Sequence, residues 1–189
     1  MESPHITHLT AIKHVFAYLS GTKDLKLVLG GKKPGIIGFI DADWASNLYH
    51  HSISGFAFFV SCGITSWSAK KQHLVTLSST ESEYVALTNA SKEVIWIYKL
   101  VHELHFLITH SLPIILFCNN QGVIDLSKDS KFHARTKHID VHFHFICQTI
   151  TQGYIKVQYC PTSEMVANIF TKSLPHIKCQ YFCDLLNVI

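Results

Sequence analysis

The chain has 189 residues, 48% hydrophobic and 15% charged, enough apolar material for one buried core with some appended segments. Its formal net charge of +3, with Arg135 the single arginine, makes no strong electrostatic commitment to nucleic acid. No apolar run approaches the ~20 residues of a membrane-spanning helix and no signal segment opens the chain, so the sequence predicts a soluble intracellular protein whose six cysteines are buried and reduced.

Leu9, Ile12, Phe16 and Leu19 recur at helical spacing before Gly21, which predicts an amphipathic helix over residues 5–20 with no covering partner in its own segment. After Gly30-Gly31 and Pro34-Gly35, the run Ile36–Ile40 leads into Asp41-Ala42-Asp43-Trp44, a buried strand ending in carboxylates. Aromatic and β-branched runs over 54–62 and 64–69, split by Gly63, predict a hairpin that extends this strand into a meander. Trp44 and Trp67 fall on or beside these strands, where core packing is favoured over a base-stacking role.

Ser78-Ser79-Thr80-Glu81 offers a capping-box start, and Ala90, Val94, Ile97, Val101 and Leu104 mark one face of a helix reaching about residue 105. A strand over 114–118, helices over 120–128 and 138–151, a strand over 154–160 and a helix over 164–173 complete the order β-β-β-α-β-α-α-β-α. Strands first, then alternating elements, predict an α/β fold with helices on the faces of a mixed sheet.

Asp41 at a strand end and Glu83 at a helix start stand out as acidic residues at the edges of apolar elements. From the residues alone they are either local caps, Glu83 sharing one with Thr80, or functional groups. His133, His138, His142 and His144 with Cys147 are the residue types zinc prefers, but their spacing matches no closed zinc pattern. Lys70-Lys71-Gln72, between the third strand and the long helix, reads equally as a solvated turn or a phosphate contact.

Six stretches carry a more specific signal in their order: Asp41-Ala42-Asp43-Trp44-Ala45, Ser52-Ile53-Ser54-Gly55-Phe56, Trp67-Ser68-Ala69-Lys70-Lys71-Gln72, Leu77-Ser78-Ser79-Thr80-Glu81-Ser82-Glu83-Tyr84, His133-Ala134-Arg135-Thr136-Lys137-His138-Ile139-Asp140 and Ile169-Phe170-Thr171-Lys172. Together, over residues 36–174, they resemble the ribonuclease H domain of copia-type LTR retrotransposon Pol polyproteins. The resemblance implies a ribonuclease H-like mixed five-stranded sheet flanked by helices over 36–174. Residues 1–35 would then be a helix and linker left from the segment after the reverse transcriptase, and 175–189 a helical C-terminal tail.

In that family four carboxylates converge on two Mg²⁺ ions that activate water and stabilise the leaving oxygen as the RNA strand of an RNA–DNA hybrid is cut. The resemblance places Asp41 and Glu83 at two of these positions, as catalytic and metal-binding residues. The third family carboxylate lies in a Cys-Asp-Asn-Gln pattern, where this chain reads Cys118-Asn119-Asn120-Gln121. The fourth lies in Val-Ala-Asp, where it reads Val166-Ala167-Asn168. Asparagine keeps the size of aspartate but not its charge, and each lost unit interaction is worth about 4 kcal/mol before desolvation at an effective dielectric near 20. Lys70, Lys71, Arg135, Lys137 and His138 are the candidate contacts to the substrate backbone, a solvated helix start being the alternative for the last three.

The implied partners are an RNA–DNA hybrid and the reverse transcriptase portion of the same polyprotein, with no membrane and no small-molecule cofactor. The expected function is an impaired remnant of a hybrid ribonuclease. A domesticated, non-catalytic binding module and a weakly active enzyme are the alternatives. The family usually has arginines where this chain has His50-His51 and a charged Arg-Glu-Lys run where it has Cys147-Gln148-Thr149; the Arg→His, Arg→Cys and Asp→Asn changes each fit one transition expected of decaying methylated CpG sites.

Overall fold

The computed structural model describes residues 3, 5–30, 35–45, 50–104, 112–128 and 140–189, the side chain of Asp140 excepted. In chain order these form α1 (Ile6–Thr22), β1 (Ile36–Asp43), β2 (Ile53–Val60), β3 (Gly63–Lys71), α2 (Ser79–Glu103), β4 (Ile114–Cys118), α3 (Gln121–Lys128), α4 (Asp140–Thr151), β5 (Ile155–Tyr159), α5 (Asn168–Thr171) and α6 (His176–Leu185). The strands make one five-stranded mixed sheet in the order β3-β2-β1-β4-β5. β1, β2 and β3 pair antiparallel, while β4 joins β1, and β5 joins β4, in parallel.

Strand alternation divides the sheet into two cores. Ile36 and Ile40 of β1 point to one face, where they join Phe58, Leu116, and Leu87 and Val94 of α2, with Ile146 of α4. Phe39 points to the other and stacks on Phe117, with Phe59 edge-on to it. That second face is covered by Val166 and by Leu186 at the end of α6. Central β1 is buried on both sides over Ile40–Ala42, and Asp41, which follows Ile40, is delivered into the middle of the molecule.

α2 starts where its sequence says it should. Ser78 caps it, its hydroxyl accepting the Glu81 N–H at 3.2 Å, while the Glu81 carboxylate accepts the Leu77 N–H at 2.7 Å. Glu83 takes no part in this cap. Ala90, Val94, Ile97 and Val101 form the buried stripe, and Leu104 lies exposed at the C-cap.

Several expectations need correction. α5 is only Asn168–Thr171, where the sequence suggested 164–173. Ahead of it the chain is held by i→i−3 hydrogen bonds, Glu164 N–H to Pro161 O, Asn168 N–H to Met165 O and Ile169 N–H to Val166 O, a tighter winding than an α-helix, while Met165, Val166, Ala167 and Asn168 are all buried. Trp44 and Trp67 are not core residues, being 47% and 52% exposed. β3 has a neighbour on one side only, which leaves Trp67 at the sheet's edge, and Trp44 stays at the surface with its indole N–H donating to Thr76 O at 3.1 Å. Of the cysteines only Cys118 and Cys160 are buried; the others sit on helix surfaces or, for Cys62, in a turn.

The segment after α1 meets the C-terminal residues. Lys26 and Ile189 exchange backbone hydrogen bonds of 2.6 and 2.9 Å, and Val28 N–H reaches Asn187 O at 2.9 Å. A Cβ on Gly63 would lie 2.6 Å from Gly30 N, so glycine there lets this segment lie against the β2–β3 turn. α1, by contrast, buries none of its residues. Among the described residues no helix is long and apolar enough to cross a membrane.

Candidate active site

Asp41 enters at the C-terminal end of β1 with its side chain fully buried. A buried carboxylate is costly unless charges and donors meet it, and three do. Lys172 Nζ lies 2.8 Å from Oδ1, the Thr171 hydroxyl donates a short hydrogen bond to Oδ2, and Asn119 Nδ2 is 3.4 Å from Oδ1. Thr171 and Lys172 stand three and four residues after Asn168, the spacing that gathers side chains on one side of a helical turn.

Asn168 completes this corner. Its Oδ1 accepts from Lys172 Nζ at 2.9 Å and its Nδ2 donates to Thr162 O at 3.0 Å, so the amide satisfies both partners in one orientation. Asn119, directly after β4 and half-buried, turns its NH₂ toward Asp41 and toward the Thr162 hydroxyl, 3.4 Å from each. Asn120 next to it caps α3, accepting the Val123 N–H at 3.3 Å.

Gly55 of β2 is paired directly with Asp41. A Cβ at that position would come within 2.6 Å of Thr171 Cγ2 and 3.1 Å of Phe170 Cβ. The absence of a side chain lets α5 descend onto the sheet and bring Thr171 and Lys172 to the carboxylate.

Glu83 reaches the same corner from the second turn of α2. Burial pushes its carboxyl up to about 8, and the charge of Asp41 adds to the rise; the Ala42 N–H, which donates to it, and the Lys172 ammonium pull back. Its Oε2 has no hydrogen-bond partner. The Cys118 thiol, pushed up to about 12 by burial and then by the charge of Glu83, is inert as a thiolate.

Asp41, Glu83, Asn119 and Asn168 thus come together from four elements, but the donor set does not fit two Mg²⁺ ions. Both Asp41 oxygens are engaged by donors, the Asn168 oxygen faces an ammonium, and Asn119 presents N–H groups where a hard cation needs charged oxygen. Among the described residues no three His, Cys, Asp or Glu side chains gather as a metal-binding group.

Lys70 and Lys71 close β3 and are exposed; they do not lie in the following turn. In register, Lys70 pairs with Ser54, which pairs with Ala42, so it stands two strands from the residue beside Asp41. Gln72, which follows, is buried and donates to Ser54 Oγ and Ser82 O at 2.7 and 2.8 Å, tying the hairpin to α2. Arg135, Lys137, His138 and His133 lie outside the described residues. Sequence reasoning missed Gly55, Thr162, Thr171 and Lys172 as site residues. Gly55, Thr171 and Lys172 were visible as motif letters, and the Asn168 spacing was the signal that could have placed the last two.

No family model matches the chain. Over 189 residues it is 38% identical to the retrovirus-related Pol polyprotein from transposon TNT 1-94 of Nicotiana tabacum, covering all of this chain and 14% of that protein. Over 191 aligned positions it is 35% identical to the retrovirus-related Pol polyprotein from transposon RE2 of Arabidopsis thaliana, covering 13% of it. The chain therefore spans about a seventh of the length of these curated relatives. Among solved structures, that of LC11 ribonuclease H1, isolated from compost by a metagenomic approach, superposes with a TM-score of 0.56 at 11% identity, over 74% of this chain and 94% of that one. Over its whole length the chain is homologous to one segment of the retrovirus-related Pol polyproteins of plant transposons, and its five-stranded mixed sheet has the ribonuclease H fold.

Proposed function

We propose that the chain is the ribonuclease H domain of a copia-type element, ancestrally an endonuclease for the RNA strand of RNA–DNA hybrids, and that it no longer cleaves. The observation that carries this reading is the four-element corner itself. Asp41, Glu83, Asn119 and Asn168 meet there, yet amides stand at Asn119 and Asn168 and the Asp41 carboxylate is already paired with Lys172. Metal-assisted hydrolysis needs bound cations to activate water and stabilise the leaving oxygen, and this set of ligands does not supply the charge to hold them.

The remaining parts suit hybrid contact more than chemistry. Lys70 and Lys71 are exposed near the same end of the sheet, as phosphate contacts would be. This favours, as a second reading, a module that binds hybrid without cutting it, recognisable by binding that weakens steeply with salt. The bare apolar side of α1, with Phe16 67% exposed and Val15 57% exposed, suits contact with a preceding reverse transcriptase portion.

The test is cleavage of a labelled RNA–DNA hybrid by the purified chain in Mg²⁺ and in Mn²⁺. No product is expected. Asn119→Asp and Asn168→Asp introduced together are expected to raise cleavage, showing a sound scaffold with a dead site. Turnover by the unaltered chain in either metal would overturn the reading.

A further inference from the structure

The corner contains a cation of its own. Lys172 Nζ sits between Asp41 Oδ1 at 2.8 Å and Asn168 Oδ1 at 2.9 Å, spending two of its three donors on these two oxygens. The preceding residue, Thr171, holds the other Asp41 oxygen. One short segment therefore saturates both oxygens of a fully buried carboxylate.

Charge arithmetic points the same way. Asp41 contributes one negative charge and Lys172 one positive, while Asn119 and Asn168 contribute none. With aspartates at 119 and 168, one lysine would face three negative charges at these positions and a divalent ion would still be attracted. With asparagines, the lysine completes neutrality. The side chain of Lys172 is 32% exposed while Asp41 is fully buried, so the lysine lies between the carboxylate and solvent.

We propose that Lys172 is the resident counter-cation of this corner, occupying by salt bridge and hydrogen bond the position a divalent ion would need, so that the fold is independent of divalent cations. The proposal rests on reading Asp41 and Glu83 as remains of a carboxylate cluster, and it goes further: loss of metal here is substitution by a side chain. A tethered ammonium competes at the high effective concentration of any intramolecular partner, which a freely diffusing ion must exceed.

The experiment uses the full chain and reads thermal unfolding with Mg²⁺, Mn²⁺ or chelator, together with Mn²⁺ binding by electron paramagnetic resonance. The unaltered chain is expected to unfold at the same temperature in all three conditions and to bind no Mn²⁺ at the corner. Lys172→Met leaves Asp41 buried without its cation; its unfolding temperature is expected to fall by several degrees and to recover in Mn²⁺, with Mn²⁺ binding that the unaltered chain lacks. Asp41→Asn with Lys172→Met removes both partners and is expected to fold and ignore metal.

Metal stabilisation of the unaltered chain overturns the proposal, whether or not that chain cleaves hybrid. So does a Lys172→Met chain that metal neither stabilises nor binds. Should Lys172→Met fold only on addition of Mn²⁺, the proposal stands; should it fail to fold even then while the double variant folds, it falls. The cleavage result and the metal result are separate readouts, so failure of the functional reading is distinguishable from failure of this one.

Discussion

Glu83 is the residue whose chemistry the fold alters most. In the unfolded chain it ionises near 4.5, and in the native state burial and the Asp41 charge hold its proton up to about 8. Between these values the native state binds the extra proton, so the group's contribution is complete below 4.5 and is lost as pH rises through about 8. Stability should thus decline by on the order of a few kcal/mol from mildly acidic to alkaline buffer. Glu83→Gln removes the titration while keeping the shape and the acceptor for the Ala42 N–H. Urea unfolding across that range should show a sloping midpoint for the unaltered chain and a flatter one for the variant; equal slopes would contradict the assignment. Asp41, Glu83, Asn119 and Asn168 were legible because each stands within a recognisable motif. Lys172 was legible only as a motif letter, since its role depends on where a four-residue helix ends.

At the scale of elements, α5 decides whether the corner exists. Its docking depends on Gly55, paired with Asp41 across β1–β2, a relationship set by register that no local pattern reveals. Gly55→Ala puts a methyl against Thr171 Cγ2 and Phe170 Cβ and forces α5 outward, which should cost about 1–3 kcal/mol in urea unfolding. An unchanged midpoint would mean that α5 is not seated as described. The long helix and the strands were legible because alternation and helical spacing are local signals with long runs behind them. α5 was misread as 164–173 because apolar residues at 165–167 mimic a helix start while the chain turns through tighter bonds and buries all of them.

At the scale of the molecule, the two ends of the chain have opposite status. α6 has the smaller apolar signal, yet Phe182 is fully buried, Leu186 joins the second core, and residues 187–189 pair with 26–28. α1 is the more apolar of the two and buries nothing. Periodicity reports that a face wants cover; it does not report whether cover is present, and the docking of a tail on a distant strand is invisible to it. Phe182→Ala should therefore destabilise the fold by about 3–5 kcal/mol, the cost of a large core cavity. Removing residues 3–22 while keeping the paired segment 26–28 should leave the unfolding midpoint nearly unchanged. It should also reduce any concentration-dependent self-association in sedimentation velocity, because Ile6, Val15, Phe16 and Tyr18 are each more than half exposed. If the truncation lowers the midpoint as far as Phe182→Ala does, α1 packs on the body of the protein and contributes to its stability directly.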